Sequence, residues 1–178
     1  FLLYLRVSGQ FHLIVGMLHL FGFNLPETHH LYYLAGSFND VWRRINIYWK
    51  DFMVKIFYYP CVFALRKGGA TRALVVSTMV TFVMTWLLHS YQWFWLRGSF
   101  PLRVHDGLFW SALAAFVAIN SVYESKHERE RALTRRALTF RGGLGLALRT
   151  GGTFAGMCIL WSLWNSDSLA EWGALWSR

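Results

Sequence analysis

From Ala73 to Leu96 the chain runs for 24 residues without an Asp, Glu, Lys or Arg. A helix of about 20 residues crosses the roughly 30 Å hydrocarbon layer of a bilayer. In water a run of this length would have to be wrapped by other protein on every side. Further apolar runs occupy residues 2–23, 105–123 and 145–163. Only 15% of the residues are charged and 55% are hydrophobic, against roughly 25% charged in ordinary soluble domains. The expectation is an all-α fold, a polytopic transmembrane helical bundle. Residues 1–178 form a single transmembrane domain with no internal repeat and no soluble module.

The run at 73–96 is polar along one line. Thr78, Thr81, Thr85, His89 and Gln92 follow one another at spacings of three, four, four and three, which places them on one helix face. Threonine hydroxyls can satisfy themselves on their own helix carbonyls, so contact with another helix explains the threonines. An ionisable His and a Gln on the same line point instead to a water-accessible cavity or a reactive site.

A net charge of +9 and a pI near 10.0 would suit a nucleic-acid partner. The basic residues, however, lie in short segments between apolar runs, as membrane topology requires. No zinc-finger spacing, RNA-binding aromatic motif or basic helix accompanies them, and no nucleic acid is expected. Residues 66–72 carry Arg66, Lys67 and Arg72. Residues 124–141, read as a loop, carry Lys126, Arg129, Arg131, Arg135, Arg136 and Arg141. Both segments should be cytoplasmic, and the segment 97–103 and the tail after Trp164 should lie on the far side. Trp172 and Trp176 in that tail would anchor at headgroup level.

One stretch between the runs is unusually polar. Ser37 and Asp40 form an S-x-x-D helix start, and a helix is expected from about residue 39 to 57. Arg44, Tyr48, Asp51 and Lys55 would form one stripe on it, with Asp51 and Lys55 as an i,i+4 pair. Arg43, Asn46 and Lys50 would form a second. Such an element lies in the interface or dips into the protein. Tyr58-Tyr59-Pro60 then ends or kinks it, and residues 52–65 read as a tilted or re-entrant piece.

Several residues attract a bland explanation. Cys61 and Cys158 stand far apart in apolar surroundings without a CxxC pattern. His12 and His19 share a helix face, but two histidines alone are weak metal ligands, and His29-His30 read as a solvated loop broken by Pro26. No metal site is expected. Gly152-x-x-x-Gly156 is a close-packing notch, and Asp106 beside His105 is a helix-start residue. The start at Phe1, inside an apolar run, lacks the basic n-region of a signal peptide. It reads as the carboxy-terminal part of a longer protein.

Three blocks carry a resemblance. Ser8-Gly9 comes first. Gly16-x-x-x-Leu20-Phe21-Gly22-Phe23-x-Leu25-Pro26-Glu27 follows, then Phe38-x-Asp40-x-Trp42-Arg43-Arg44-x-Asn46-Ile47. Together they resemble the membrane-bound O-acyltransferase family, and most of all its bacterial branch of alginate-acetylation and teichoic-acid D-alanylation proteins. Trp86-Leu87-Leu88-His89 is similar to that family's Trp-His-Gly block, with Ser90 in place of the Gly. Many bacterial members have His where this chain has Asn46, and other branches have Asn there.

The resemblance implies an acyltransferase that moves an acyl group from a thioester donor, acyl-CoA or an acyl carrier protein, to a hydroxyl acceptor. No tightly bound cofactor is implied. His89 would be the catalytic base, and Asn46, which cannot titrate, would orient or polarise the substrate. Arg43, Arg44 and Lys50 would attract the donor's phosphates, with lipid-phosphate anchoring as the other explanation, and Gln92 would position His89. The family has more spans on the amino-terminal side, so the donor tunnel would lie upstream. Membrane lipid and polymer-modification proteins are the implied partners, and the bacterial cytoplasmic membrane is the implied location. The competing readings are a non-catalytic transporter or channel segment and a degenerate family member acting as a scaffold.

Overall fold

The computed structural model describes residues 2–25, 27–98, 100, 103–133 and 140–177. Expectations resting on Pro26, Pro101, Arg135 and Arg136, or on the side chains of Arg129, Arg131 and Arg141, lie outside what it describes. Among the described residues the fold is helical throughout, with no strand. Three helices are long and apolar enough to cross a membrane: α5 (Ala70–Arg97), α6 (Val104–Leu133) and α7 (Phe140–Asn165). Their outward residues, such as Val83, Leu87, Ile119 and Leu148, are apolar and exposed. A continuous apolar exterior of that kind suits lipid rather than water. The chain is a membrane protein with an all-α fold.

The run expected at 2–23 forms α1 (Leu2–Leu20). It is helical but is not among the three helices apolar enough to cross, because Arg6, Gln10, His12 and His19 interrupt it. His12 bonds through Nδ1 to the Ser8 carbonyl at 2.7 Å, and His19 closes the helix end on the Leu25 backbone. Residues 124–133, expected in a loop, continue α6 without a break. Their Glu, Lys and Arg content is compatible with a helix once the span has left the apolar layer.

The polar stretch is not the single helix expected over 39–57. It divides into α2 (Phe38–Arg44) and α3 (Ile47–Met53). A π-helical turn at Val54–Tyr58 leads from α3 into α4 (Tyr59–Leu65). The break falls at Asn46, which adopts φ 41° and ψ 66°. Asn is one of the few residues that tolerate the left-handed region, and its side chain then caps α3 by accepting from the Trp49 N–H at 3.4 Å. Pro60 does not end a helix. It follows directly on the π-helical turn in a helix that runs unbroken from α3 into α4, and the altered hydrogen-bond register of that turn accommodates a residue with no N–H to give. The start of α2 is as its sequence predicts: Ser37 Oγ accepts from the Asp40 N–H at 3.2 Å, and Asp40 accepts from the Gly36 N–H at 3.2 Å.

The core lies where α2 is set against the α5–α6 pair. Val41, Phe82, Phe109, Leu113, Val117 and Met157 are all buried there. Aromatic pairs fasten the layers: Trp42 to Phe82 at 4.6 Å, Phe38 stacked on Phe116 at 4.6 Å, and Phe109 stacked on Trp164 at 5.0 Å. Such pairs add about 0.5–1.5 kcal/mol each beyond their burial. The notch in α7 works through one of its two glycines. A Cβ on Gly156 would stand 2.8 Å from Phe38 Cζ, whereas one on Gly152 would meet nothing within 4 Å. The partner is thus an aromatic edge from α2.

The far end of the bundle closes with α8 (Leu169–Trp176), capped by Ser168 accepting from the Glu171 N–H at 3.2 Å. Trp172 Nε1 donates to Ser162 Oγ at 2.9 Å. Arg103 reaches Asp167 at 3.5 Å, so the segment before α6 and the tail meet at one end, as the charge pattern expects.

Candidate functional site

A polar cavity of about 590 Å³ opens among α2, α3, the π-helical turn, α5 and α6. Arg43, Lys50 and Asn39 line one wall, Thr78 and Thr81 another, and Ser121, Glu124 and Ser125 a third. It lies toward the basic ends of α5 and α6. The α5 residues that reach it belong to the first half of the helix, and those from α6 follow Val117. The π-helical turn widens the helix at this point and brings Tyr58 and Tyr59 to the rim. Such bulges recur where a side chain must be re-aimed for function.

Glu124 organises the wall. Its Oε2 accepts from Asn39 Nδ2 at 2.7 Å and from Arg43 Nη2 at 2.8 Å. Asn39 is buried, and its amide is held by a charge-assisted bond of the stronger kind. Arg43 is half exposed, with a side-chain accessibility of 58%, so the five-donor fork of its guanidinium has capacity for a second anion. Lys50 pairs with its neighbour Asp51. The expected Asp51–Lys55 pair is not what forms, because the π turn changes the register after Met53. Arg44 turns away from the cavity and bonds through Nε to Asp40 Oδ1 at 2.8 Å. Of the three cations expected to act together, Arg43 and Lys50 share the wall and Arg44 does not.

His89 is half-buried on α5. Its imidazole meets the Trp49 ring edge-on at 5.0 Å and the Trp110 ring at 5.1 Å. Its Nδ1 is 2.9 Å from the Thr85 carbonyl. A carbonyl can only accept, so Nδ1 carries the proton and Nε2 keeps the basic lone pair in the neutral ring. Below His89 on the same face, each threonine bonds to its own helix: Thr78 to Leu74 at 2.9 Å, Thr81 to Ser77 at 2.7 Å and Thr85 to Thr81 at 2.8 Å. Gln92 is exposed, and no hydrogen bond joins it to His89.

Asn46 and His89 are not walls of the cavity. They are joined through Trp49, whose N–H is bonded by Asn46 and whose ring packs on His89. From Thr81 to His89 is eight residues of helix, about 12 Å at 1.5 Å per residue. Trp86, three residues before His89, lies against Gly107 of α6, its Cη2 3.4 Å from where a Cβ would stand. Ser90 is buried.

The sequence did not point to Asn39, Ser121, Glu124 or Ser125. The signal was present in part: Val117, Ser121 and Glu124 fall at spacings of four and three, one face of a helix that continues past residue 123. Reading residues 124–141 as a loop removed Glu124 from that face. Among the described residues no group of three His, Cys, Asp or Glu is placed to hold a metal ion.

The arrangement is that of a multi-helix membrane protein with a polar pocket at the basic ends of its spans and a tautomer-fixed histidine farther along one of them. No family model, no curated protein and no solved structure matches the chain.

Proposed function

We propose that the chain is part of a membrane-bound O-acyltransferase that binds the phosphates of a thioester donor in the polar cavity and uses His89 as general base. The observation that carries this reading is the pairing of an Arg43–Lys50 wall with a histidine whose Nε2 lone pair is free for a proton. Guanidinium and ammonium groups at a membrane boundary suit the phosphates of acyl-CoA or of an acyl carrier's prosthetic arm. The thioester of such a donor is carried at the end of a long arm. A separation of about 12 Å along α5 is compatible with phosphates at the cavity and a carbonyl at His89.

In the reaction the acceptor hydroxyl oxygen attacks the thioester carbonyl carbon while its proton passes to His89 Nε2. The C–S bond then breaks, and the thiolate leaves with the proton that His89 returns. Asn46 serves indirectly, by fixing the Trp49 backbone behind the imidazole. The acceptor would be a polymer, teichoic-acid, lipid or small-alcohol hydroxyl. The resemblance of residues 8–60 to the alginate-acetylation and D-alanylation branch supports a bacterial cytoplasmic membrane and polymer-modification partners.

The absence of His89 from the cavity lining favours a second reading: a non-catalytic membrane segment, transporter or scaffold, that binds an anion and transfers nothing. The two separate on release of free thiol from acetyl-CoA by membranes carrying the full chain with hydroxyl acceptors. The acyltransferase reading expects His89→Ala to lose at least 100-fold while still binding coenzyme A. Turnover equal to wild type in His89→Ala would end it.

A further inference from the structure

A second, apolar groove of about 620 Å³ runs along the other side of the α5–α6 seam. It shares no lining residue with the polar cavity. Successive residues turn by about 100° on a helix, so Ala115, Ala118, Ile119 and Val122 lie across α6 from Val117, Ser121 and Glu124. Val75 and Met79 of α5 form the facing wall. Alanine at 115 and 118 keeps the floor low, and a groove of this volume is within the roughly 300–1,000 Å³ of ordinary small-molecule sites.

One end of the groove is polar, and its position is informative. Thr71, Tyr123, Lys126 and His127 close it, and the apolar stretches of the two helices begin at Ala70 and end at His127. The polar end is therefore at the membrane boundary, with the apolar channel reaching inward from it. Lys126 is exposed and makes no ion pair among the described residues. Glu124, two residues earlier, is turned to the opposite side and taken by Asn39 and Arg43. His127 stacks on Tyr123 at 4.2 Å and bonds through Nδ1 to the Tyr123 carbonyl at 2.8 Å. A cation above an apolar channel, at headgroup depth, complements an amphiphile with a negative head and a hydrocarbon tail.

We propose that this groove is a binding site for an anionic phospholipid, one acyl chain lying between α5 and α6 and the phosphate held by Lys126. The site is independent of the acyltransferase reading, because it uses none of the cavity residues or His89. The lipid would hold the α5–α6 seam on the side that α2 does not cover.

The full chain, purified in mild detergent, is incubated with equimolar phosphatidylglycerol and phosphatidylcholine of identical chains, and bound lipid is counted by native mass spectrometry. The wild type should retain one phosphatidylglycerol at least fivefold in excess of phosphatidylcholine. Lys126→Glu should bring that ratio to about one, while Lys55→Glu, an exposed cation elsewhere, should leave it unchanged. Ile119→Trp, at an exposed position on the groove, should lower retention of both lipids. Equal retention of the two lipids by the wild type would overturn the proposal, as would an unchanged ratio in Lys126→Glu. A mass twice that of the chain with no lipid would also overturn it, since a second copy would then fill the groove.

Discussion

Trp49 meets the His89 imidazole edge-on, with ring centroids 5.0 Å apart. The same residue's backbone N–H is the one that Asn46 caps at 3.4 Å. A left-handed asparagine at a helix start thus caps the residue whose ring packs on His89 of α5. Asn46 and His89 act on one another by geometry, without contact.

That relationship separates two roles for Asn46. Asn46→Gly keeps the left-handed backbone and should stay within about 0.5 kcal/mol of wild type, whereas Asn46→Ala should cost about 2 kcal/mol through lost capping and backbone strain. Thermal unfolding in detergent measures both. If Asn46 only holds Trp49, acyl transfer in Asn46→Gly should fall less than tenfold. A loss as large as that of His89→Ala would show that its amide touches the substrate.

Arg43 and Arg44 are adjacent in sequence and have different partners, Glu124 and Asp40. Arg43→Gln should weaken coenzyme A binding by about tenfold, the loss of one charged hydrogen bond of roughly 1.5 kcal/mol. Arg44→Gln should change it less than twofold, because that side chain supports the first turn of α2. Equilibrium binding of coenzyme A to the full chain distinguishes them, and equal effects would contradict the cavity assignment.

Gly156 offers a packing test. The methyl of Gly156→Ala would meet Phe38 Cζ at 2.8 Å, and overpacking of this kind costs about 1–3 kcal/mol. Phe38→Leu removes the obstructing edge. The double variant should therefore be more stable than the sum of the single changes implies, a coupling that a double-mutant cycle reads directly.

His29 supplies a pH dependence. It is buried between Phe11 and Tyr32, ring centroids 5.1 and 5.7 Å away, with neither ring nitrogen hydrogen-bonded. Burial, reinforced by nearby His12, holds its pKa below the ordinary 6.5. Just below pH 6.5 the unfolded chain therefore binds more protons than the folded one, and stability rises with pH. The contribution is complete above about pH 6.5 and is lost as pH falls through the folded-state value. His29→Phe should flatten the melting temperature over about pH 5–7. An unchanged slope would assign the dependence to another group.

Much of the architecture was legible because apolar length and one-sided polarity are direct consequences of a bilayer. Three of the four apolar runs become spans as their length predicts, the run at 2–23 forming a helix too polar to join them, and the Ser37 cap and the face from Thr78 to His89 follow from spacing. The break at Asn46 was not legible, since Asn is tolerated inside a helix as well as at its start. Without that break, Arg43, Asn46 and Lys50 fall on one stripe; with it, two of them line the cavity and the third faces Trp49. His29-His30 shows the same limit. His30 is exposed and pairs with Glu27 at 2.8 Å, as a solvated loop predicts, while His29 is buried by Phe11 and Tyr32, residues whose approach no local pattern reveals. Glu124 is hidden in the sequence because a run of charges marks the end of a membrane span more reliably than the end of a helix, and α6 continues to Leu133.

The seating of Phe38 has a bearing on biogenesis. Its ring stacks on Phe116, its N–H donates to Asn120 at 2.9 Å across 82 residues, and its edge touches Gly156. During synthesis residues 38–65 leave the ribosome long before any of these partners exists. The π-helical turn and α4 pack on α5 and can seat as soon as that helix is inserted, but α2, held by its own caps, must wait at the membrane surface and dock only after α6 and α7 have followed. Nascent chains halted before residue 116 should leave α2 open to protease, and chains released after residue 165 should protect it. Equal protection in both would mean that α2 is seated by α5 alone.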